Sequence, residues 1–310
     1  TRESEDVKKY LQKLEFEKVK VTFPAEFEEM KHVLLKLFNR YVEELRKRKV
    51  LFGPANKGSL IKLQKKIIGT ISRGNKNYNY MMGASACAQA IKLQHALGLL
   101  ETQTLQAFNK YLKKLFKEAS IKKSKGVVKL VAQPEFNYIF MTSNELLAKE
   151  KEHPKVDELI KRIQREKNQN KNLRTIVFTQ FRDTASHISK KINQLKEINA
   201  KVFVGQARKK ENGLTQNQQK EIIEKFSKGE INVLCATCIA EEGLDIPEVH
   251  SVIFYEPVPS AIRAIQRAGR TARLMPGKLI MLITKKTRDE TFYYVSRSRE
   301  KKMHKAINQI

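Results

Sequence analysis

Two short segments of the chain bring together residue types that handle phosphate groups. In the first, residues 236–247, Gly243 allows a tight turn and Asp245 places a carboxylate a few residues beyond the apolar run 231–235. Open α/β sheets bind ligands just outside the carboxyl ends of their strands. The segment therefore predicts a ligand-binding loop at the end of a buried strand.

The second segment, residues 266–273, begins with Gln266 and contains Arg270 and Arg273. Residues three apart share one face of a helical turn, so the two guanidinium groups are expected on the same side. Such a pair can hold a phosphate and stabilise the charge that develops during phosphoryl transfer. Taken alone, either segment is also compatible with ordinary surface residues in a basic protein. Both together, in an α/β pattern, favour a phosphate site.

Three other segments resemble chemical sites but lack the necessary context. Residues 53–59 have the glycine spacing of a phosphate-binding loop, without the lysine that should follow the second glycine. Cys235 and Cys238 form a CxxC, with no second pair of ligands to complete a zinc site. The acidic pair at residues 157–158 follows no apolar strand. We therefore predict no nucleotide, redox or metal function at these positions.

The C-terminal half of the chain has the pattern of a parallel α/β sheet with flanking helices. From about residue 153 onward, five short apolar runs alternate with helical stretches. This order is typical of parallel strands joined by crossover helices. The predicted strands are residues 175–179, 201–204, 232–236, 251–255 and 279–283.

The N-terminal half predicts an all-helical domain. Apolar residues recur every three or four positions from Phe27 to Leu45, which indicates one amphipathic helix. Alternating residues at 16–23 predict a strand before it, whereas the lysine-rich segment 120–142 is expected to be a mobile linker. Further helices are predicted at residues 59–72, 80–100 and 103–119.

The net charge of +28 is concentrated in one part of the chain. Residues 46–129 contain nineteen Lys and Arg against two acidic residues, a net charge of +17. A solvated surface, which is the alternative, usually mixes both signs, so this excess predicts a face that binds nucleic acid. The candidate phosphate contacts on the predicted helix 103–119 are Lys110, Lys113, Lys114 and Lys117.

The bulk features of the chain limit its class. Three cysteines are too few for a disulfide scaffold and fit a reducing, cytoplasmic location. No apolar run is long enough to span a bilayer, and the first residues contain no signal peptide. Because the first residue is not Met, we expect a piece of a longer protein.

Several segments together resemble the motifs of superfamily 2 helicases. Residues 236–247 and 266–273 resemble helicase motifs V and VI, and residues 176–182 resemble motif IV. Ala272 departs from the glycine that is usual there. A more specific resemblance, to the archaeal Hef branched-DNA helicases and their eukaryotic FANCM relatives, lies in residues 203–207, 213–216, 241–245, 254–263 and 287–290.

The resemblance implies a second RecA-like domain that shares ATP and Mg²⁺ with a first such domain. Asp245 would contact the ribose, and Gly243 would lie in the same nucleotide-binding loop. Gln266, Arg270 and Arg273 would face the phosphates, with the two arginines as catalytic arginine fingers. The nucleic-acid backbone would be contacted by Thr179, Gln180, Arg182, Gly205, Gln206 and Thr237.

The same resemblance implies three parts of the chain. Residues 1–24 would be a linker and strand from the first RecA-like domain, residues 25–150 a basic helical insert that binds DNA, and residues 151–310 the second RecA-like domain. The implied function is ATP-dependent movement on forked, branched or duplex DNA in replication-fork repair. A sliding clamp or other repair proteins are the implied partners.

Two alternatives remain open. A double-stranded-RNA-directed ATPase, similar to the innate immune sensors and Dicer helicases, would carry the same motifs, although residues 254–263 favour the DNA-acting group. A non-catalytic nucleic-acid clamp would have no need of Arg270 and Arg273. Efficient ATP hydrolysis would need the first domain, because this sequence contains neither a phosphate loop nor the acidic magnesium motif.

Overall fold

The computed structural model describes residues 14–74, 78–205, 213–240, 245–271 and 276–307. The chain forms two compact units. The sheet unit combines residues 14–22 with the described residues from His153 to 307, and the helical unit is formed by the described residues of Phe23–Glu152. None of the described helices is both long enough and apolar enough to cross a membrane.

The helical unit contains six helices among the residues described. The four that were predicted are confirmed, with ends within two residues of the expected ones. The helices are α1 (Ala25–Lys47), α2 (Lys57–Ser72), α3 (Tyr78–Thr102), α4 (Leu105–Ser120), α5 (Lys125–Val131) and α6 (Pro134–Ala148).

Helix α1 shows how the sequence produces these elements. Glu26 and Glu28 lie in its first turn and Arg46 and Lys47 in its last, so charges of the right sign meet each end of the helix dipole. The predicted apolar stripe is buried, and each large side chain contributes about 1.5–3 kcal/mol when fully removed from water. The stripe consists of Phe27, Met30, Leu34, Leu37, Tyr41 and Leu45.

The expectation of a mobile linker at residues 120–142 is wrong. Helix α5 and the first part of α6 occupy this segment, and the side chains of Val127, Leu130, Phe136 and Ile139 are fully buried. The lysines that suggested a linker, such as those at the ends of α5, lie on the exposed side. These lysines obscured the regular spacing of the apolar residues, which nevertheless form the buried side of the two helices.

The sheet unit is built on six parallel strands in the order β1-β6-β5-β2-β4-β3. The five predicted apolar runs are confirmed as strands, and the last of them is longer than expected. The strands are β1 (Leu14–Val21), β2 (Thr175–Phe178), β3 (Ala200–Phe203), β4 (Val233–Ala236), β5 (Ser251–Phe254) and β6 (Gly277–Thr284).

The first strand, β1, lies at an edge of this sheet. It pairs in parallel with β6, from Leu14 beside Gly277 to Val21 beside Thr284. Its alternating pattern predicted a strand, but the family resemblance implied that residues 1–24 are a linker and strand from the first RecA-like domain. The pairing places the strand in this sheet instead, because the pattern of a strand does not specify its partner.

Helices cover both faces of the sheet, as the sequence predicted. One core joins β2, β4, β5 and β6 to the helices at Pro154–Gln169 and Arg182–Ile192, and the opposite core contains Phe178, Phe226 and Phe254 with side chains from the remaining helices. The helices are α7 (Pro154–Gln169), α8 (Arg182–Ile192), α9 (Gln216–Ser227), α10 (Ala261–Ala268) and α11 (Arg288–Ile307), with a short 3-10 helix at Cys238–Ala240.

Candidate nucleotide and nucleic-acid site

The carboxyl ends of neighbouring strands carry most of the predicted nucleic-acid contacts. Thr179 and Gln180 follow β2, Thr237 follows β4, and Gly205 comes two residues after β3. These strands are adjacent in the sheet and all run in the same direction. The four positions therefore lie along a single edge, where open α/β sheets bind their ligands.

Hydrogen bonds between loops fix the geometry of this edge. The backbone N–H of Thr179 donates to the carbonyl of Ala236 at 2.9 Å, which continues the sheet beyond its strands. The Arg182 guanidinium donates to the carbonyl of Gly205 at 2.9 Å. A Cβ on Gly205 would lie 3.7 Å from Ile239 Cδ1. The loops after β2, β3 and β4 thus meet around Gly205.

The predicted contacts differ in how far they face solvent. Gln180 is exposed and Arg182 is half-buried, whereas Thr179 and Thr237 are buried. Of these four predicted contacts in the sheet unit, therefore, the side chains of Gln180 and Arg182 are accessible, and that of Thr179 lies beneath the surface. Gln206 lies outside the described residues.

A buried carboxylate, Glu256, organises the end of β2. It accepts hydrogen bonds from the hydroxyl of Thr179 at 3.2 Å and from the backbone N–H of Gln180. Burial raises the pKa of Glu256 to about 7, against the opposing influence of Lys155 and Arg267. Desolvation disfavours the charged form of an acid, which explains the direction.

Lys155 and Asp289 form a second buried contact close to the same edge. Lys155 Nζ lies 2.8 Å from Asp289 Oδ2, and both side chains are fully buried. The same carboxylate oxygen accepts from the N–H of Thr284 at 3.0 Å. Burial raises the pKa of Asp289, although Lys155 lowers it. This contact joins the start of α7 to the end of β6 and the start of α11.

Arg267 approaches from the opposite face of the sheet. It is almost completely buried, and its guanidinium lies 4.9 Å from the ring centre of Phe178 and 5.6 Å from that of Phe254. A cation over a desolvated aromatic face gains on the order of 2 kcal/mol. Arg267 therefore anchors α10, the helix of the motif VI segment, onto the ends of β2 and β5.

We call this set the buried charge network: Lys155, Thr179, Glu256, Arg267 and Asp289. It brings cations from both helical layers to a carboxylate at the end of β5. Sequence analysis gave no role to any of these residues except Thr179, although Glu256, Arg267 and Asp289 lie in the segments 254–263, 266–273 and 287–290 that carry the helicase resemblance. The available signal was a charged residue next to an apolar run, as at Glu256, which is weak because such residues usually face water.

The predicted nucleotide residues lie elsewhere on the sheet unit. Arg270 follows α10 and is only 8% exposed, and its carbonyl accepts from the N–H of Val249, which precedes β5. Asp245 is exposed, a few residues before Val249. The structure therefore places Arg270 beside the segment that follows Asp245, toward the amino end of β5 and apart from the Thr179–Gln180 edge.

Of the other predicted nucleotide contacts, only Gln266 lies within the described residues. Gln266 is half-buried on α10, one position before Arg267. Gly243 and Arg273 lie outside the described residues, as does Ala272. The pairing of the two arginines on one face stays a prediction.

The four candidate lysines of the helical unit lie on α4. Lys110, Lys113, Lys114 and Lys117 are all exposed, while Leu112 on the same helix is fully buried. The apolar side of α4 thus faces the bundle and its lysines face solvent.

The segments that only resembled chemical sites have structural explanations. In residues 53–59, the side chain of Asn56 accepts from the N–H of Ser59 at 2.9 Å and caps α2. Burial raises the pKa of Cys235, within β4, to about 12, whereas Cys238 is exposed. Among the described residues, no group of His, Cys, Asp or Glu is arranged to hold a metal ion.

Family comparisons agree with this division of the chain. Residues 154–275 match the helicase conserved C-terminal domain, and residues 26–152 match the family described as ATP-dependent RNA helicase, helical bundle. The sheet, its motif V and VI segments and the helical unit thus define the second RecA-like domain of a superfamily 2 helicase with its helical domain.

Individual relatives narrow the class. The crystal structure of the Pyrococcus furiosus Hef helicase domain covers 95% of this chain with a TM-score of 0.78 and 37% identity. MJ1505 of Methanocaldococcus jannaschii, named as an ATP-dependent RNA helicase, is 35% identical over the whole chain. The ATP-dependent DNA helicase fml2 of Schizosaccharomyces pombe is 30% identical over 93% of it. The chain belongs to the family of archaeal Hef and FANCM-type superfamily 2 DNA helicases.

The chain corresponds to only part of each relative. It spans 38% of the length of MJ1505 and of fml2, and 60% of the Hef helicase domain.

Proposed function

We propose that this chain is the DNA-gripping and arginine-finger part of an ATP-dependent helicase or translocase that acts on forked and branched DNA. Its work in replication-fork repair, and its association with a sliding clamp or other repair proteins, belong to the same proposal. A first RecA-like domain would supply the other half of the ATP site.

One observation carries the proposal: the sheet unit presents Gln180 and Arg182 at one edge and also contains Arg270. The helical unit of the same chain, considered by itself, has a row of exposed lysines on α4. A motor needs a nucleic-acid contact and a nucleotide contact on one rigid body, because ATP binding and hydrolysis must change how the protein binds the nucleic acid. The buried charge network provides that rigidity, since Arg267 and Thr179 meet around Glu256.

The residues present suit one half of a nucleotide site. A guanidinium at Arg270 can neutralise phosphate charge, and the exposed carboxylate of Asp245 can accept hydrogen bonds from ribose hydroxyls. ATP with Mg²⁺ supplies the phosphoryl group whose transfer to water drives such motors. The short segment between Asp245 and Val249 would hold the ribose contact close to the end of α10.

On the nucleic-acid side, the geometry favours contacts with the backbone. Gln180 and Arg182 offer donors, and the half-buried Arg182 is already oriented by Gly205. The exposed lysines of α4 add point charges that bind phosphates with little base preference. Affinity should therefore follow the shape of the DNA and fall steeply with salt.

Duplex RNA is the second candidate substrate. The observation in its favour is that MJ1505 and the family of the helical bundle are both named as RNA helicases. The relatives fml2 and fml1 are named as DNA helicases, which favours DNA. The resemblance of residues 254–263 to Hef and FANCM favours DNA as well.

The deciding experiment is a competition in which labelled fork DNA is displaced by unlabelled fork DNA, linear duplex DNA or duplex RNA of equal length. We expect fork DNA to compete best and duplex RNA to compete worst. ATP turnover is then measured with saturating fork DNA, for this chain alone and for a longer form that carries a first RecA-like domain. Turnover should need the longer form. Preferential displacement by duplex RNA, or robust turnover by the chain alone, would reject the proposal.

A further inference from the structure

The open end of the α2–α3 pair carries exposed apolar side chains that the proposed function does not explain. The two helices are antiparallel: Cys87 Sγ lies 3.4 Å from the carbonyl of Leu60, and a Cβ on Gly83 would lie 4.0 Å from Ile67 Cδ1. The end of α2 and the start of α3 therefore lie at the same end of the pair.

Five large apolar residues near this end face water. We call them the tip: Ile68 at 57% exposure, Ile71 at 37%, Tyr78 at 67%, Met81 at 51% and Met82 at 37%. Single exposed apolar residues need no explanation, but a group at one end of a helix pair is typical of a binding surface. The neighbouring Ile67 is fully buried, so the bundle has its own core and does not need the tip for it.

The charges around the tip indicate which class of ligand it binds. From Arg46 to Leu100 the sequence contains eleven Lys and Arg and no acidic residue. Lys65, Lys66 and Arg73 on and just after α2 are exposed. A polyanion suits these cations, but phosphates alone give no reason for apolar side chains, since phosphate contacts come from charged and polar groups.

Unpaired bases satisfy both features. Each base has an apolar face that stacks on aromatic side chains, and the base is joined through its sugar to a backbone phosphate. Apolar side chains of nucleic-acid-binding proteins also enter between bases where stacking is interrupted. Tyr78 offers a ring, and Met81 and Met82 offer adaptable apolar contacts beside it.

We propose that the tip binds unpaired bases at the branch point of forked DNA, while the surrounding cations hold the adjoining phosphates. This inference rests on the proposed function and adds the part of the substrate that the helical unit recognises. The tip would then recognise the branch point through the faces of unpaired bases. In duplex DNA these faces are stacked on neighbouring bases and are inaccessible.

The test uses the full chain and a tip variant, Ile68→Gln with Tyr78→Ser and Met81→Gln. The three positions are exposed and no charge is changed, so folding and the salt dependence of binding should persist. The control variant, Ile121→Gln with Val128→Gln and Met141→Gln, changes three other exposed apolar residues of the helical unit. Fluorescence anisotropy gives affinities for a splayed fork and for an unbranched duplex of equal length.

We expect the tip variant to bind the fork about tenfold more weakly, because stacking on one aromatic ring contributes that much or more. Its affinity for the duplex, and all affinities of the control variant, should stay within twofold. A 2-aminopurine placed at the branch point should change fluorescence with the parent chain and not with the tip variant.

Other outcomes overturn the inference. Equal losses on fork and duplex, or a fork affinity unchanged in the tip variant, would reject it. So would tip-dependent binding to vesicles containing phosphatidylserine with unchanged fork affinity, which would assign the tip to a membrane surface. If the parent chain bound forks no better than duplex, the proposed function would fail as well. If the parent chain preferred forks and the tip variant kept that preference, only the inference about the tip would be rejected, and the proposed function would stand.

Discussion

The hydroxyl of Thr179 donates a hydrogen bond to Oε2 of Glu256 across 3.2 Å, which ties the residue after β2 to the second residue after β5. The other carboxylate oxygen accepts from the backbone N–H of Gln180. A side chain that no helicase motif required thus holds the motif IV backbone in place. Glu256 is therefore a positioning residue in the proposed grip on DNA.

Replacing Glu256 by Ala should destabilise the chain by about 2–4 kcal/mol. The change leaves one buried donor, the Thr179 hydroxyl, and one partly buried donor, the Gln180 N–H, without their acceptor, and it removes a counter-charge from Lys155 and Arg267. Urea denaturation measures the loss. The control Glu224→Ala removes an exposed carboxylate from α9 and should cost less than about 0.5 kcal/mol. Similar values for the two variants would contradict this role for Glu256.

The stability of the chain should depend on pH through Glu256. Its pKa is about 7 in the folded chain and about 4.3 in an unfolded one. Between these values the folded state keeps a proton that the unfolded state has released. This contribution is complete below about pH 4 and is lost as pH rises through 7.

The Glu256→Gln variant cannot release that proton. The difference in unfolding free energy, parent minus variant, should therefore fall by on the order of 3 kcal/mol between pH 5 and pH 8. Denaturation curves at four pH values provide the measurement. Parallel profiles of the two proteins would show that Glu256 does not titrate in this range.

Exchanging the four α4 lysines for Gln should weaken the salt dependence of DNA binding. If Lys110, Lys113, Lys114 and Lys117 each neutralise one phosphate, the slope of log affinity against log salt shrinks by roughly 3–4 units. A matched control changes four exposed lysines of the sheet unit, Lys190, Lys196, Lys220 and Lys228. Titrations at three salt concentrations separate them. An unchanged slope would identify the α4 lysines as an ordinary solvated face.

Arg270→Ala should lower ATP turnover by about a thousandfold or more in a longer form that carries the first RecA-like domain. DNA binding should be largely kept, because Arg270 lies apart from the Thr179–Gln180 edge. Phosphate release with fork DNA is the assay, and Arg165→Ala, an exposed arginine on α7, is the control. Turnover within a few-fold of the parent would place Arg270 outside the active site.

The cysteines should behave as structural residues. Burial raises the pKa of Cys87 to about 11 and that of Cys235 to about 12, while Cys238 is exposed. A thiol reagent at pH 8 should therefore label Cys238 rapidly and the other two only after denaturation. With Mg²⁺ in excess, ATP turnover of the longer form should be indifferent to a zinc-selective chelator and to Cys238→Ser. Rapid labelling of Cys235 in the native chain would contradict the assignment.

The sequence predicted elements better than it predicted their partners. Six strands and the four long helices α1 to α4 followed from periodicity, because burial on one face repeats at fixed spacing. The buried charge network did not, since Lys155 and Asp289 are 134 residues apart and nothing local relates them. Helices α5 and α6 were missed because exposed lysines diluted the apolar pattern around Val127 and Phe136. The residues proposed for the site edge came from motif resemblance and stay a prediction, and the burial of Thr179 depends on tertiary packing that no motif specifies.

The place of β1 has a practical consequence for dividing the protein. A fragment that began at His153 would contain the helicase motifs yet lack the strand that pairs with β6. Its sheet would end in a long row of unpaired backbone groups, which invites self-association. Soluble preparations of the sheet unit should need residues 14–22 joined to residue 153 by a short flexible linker. Residues 23–152 form one continuous compact unit, and we expect them to fold when they are expressed separately.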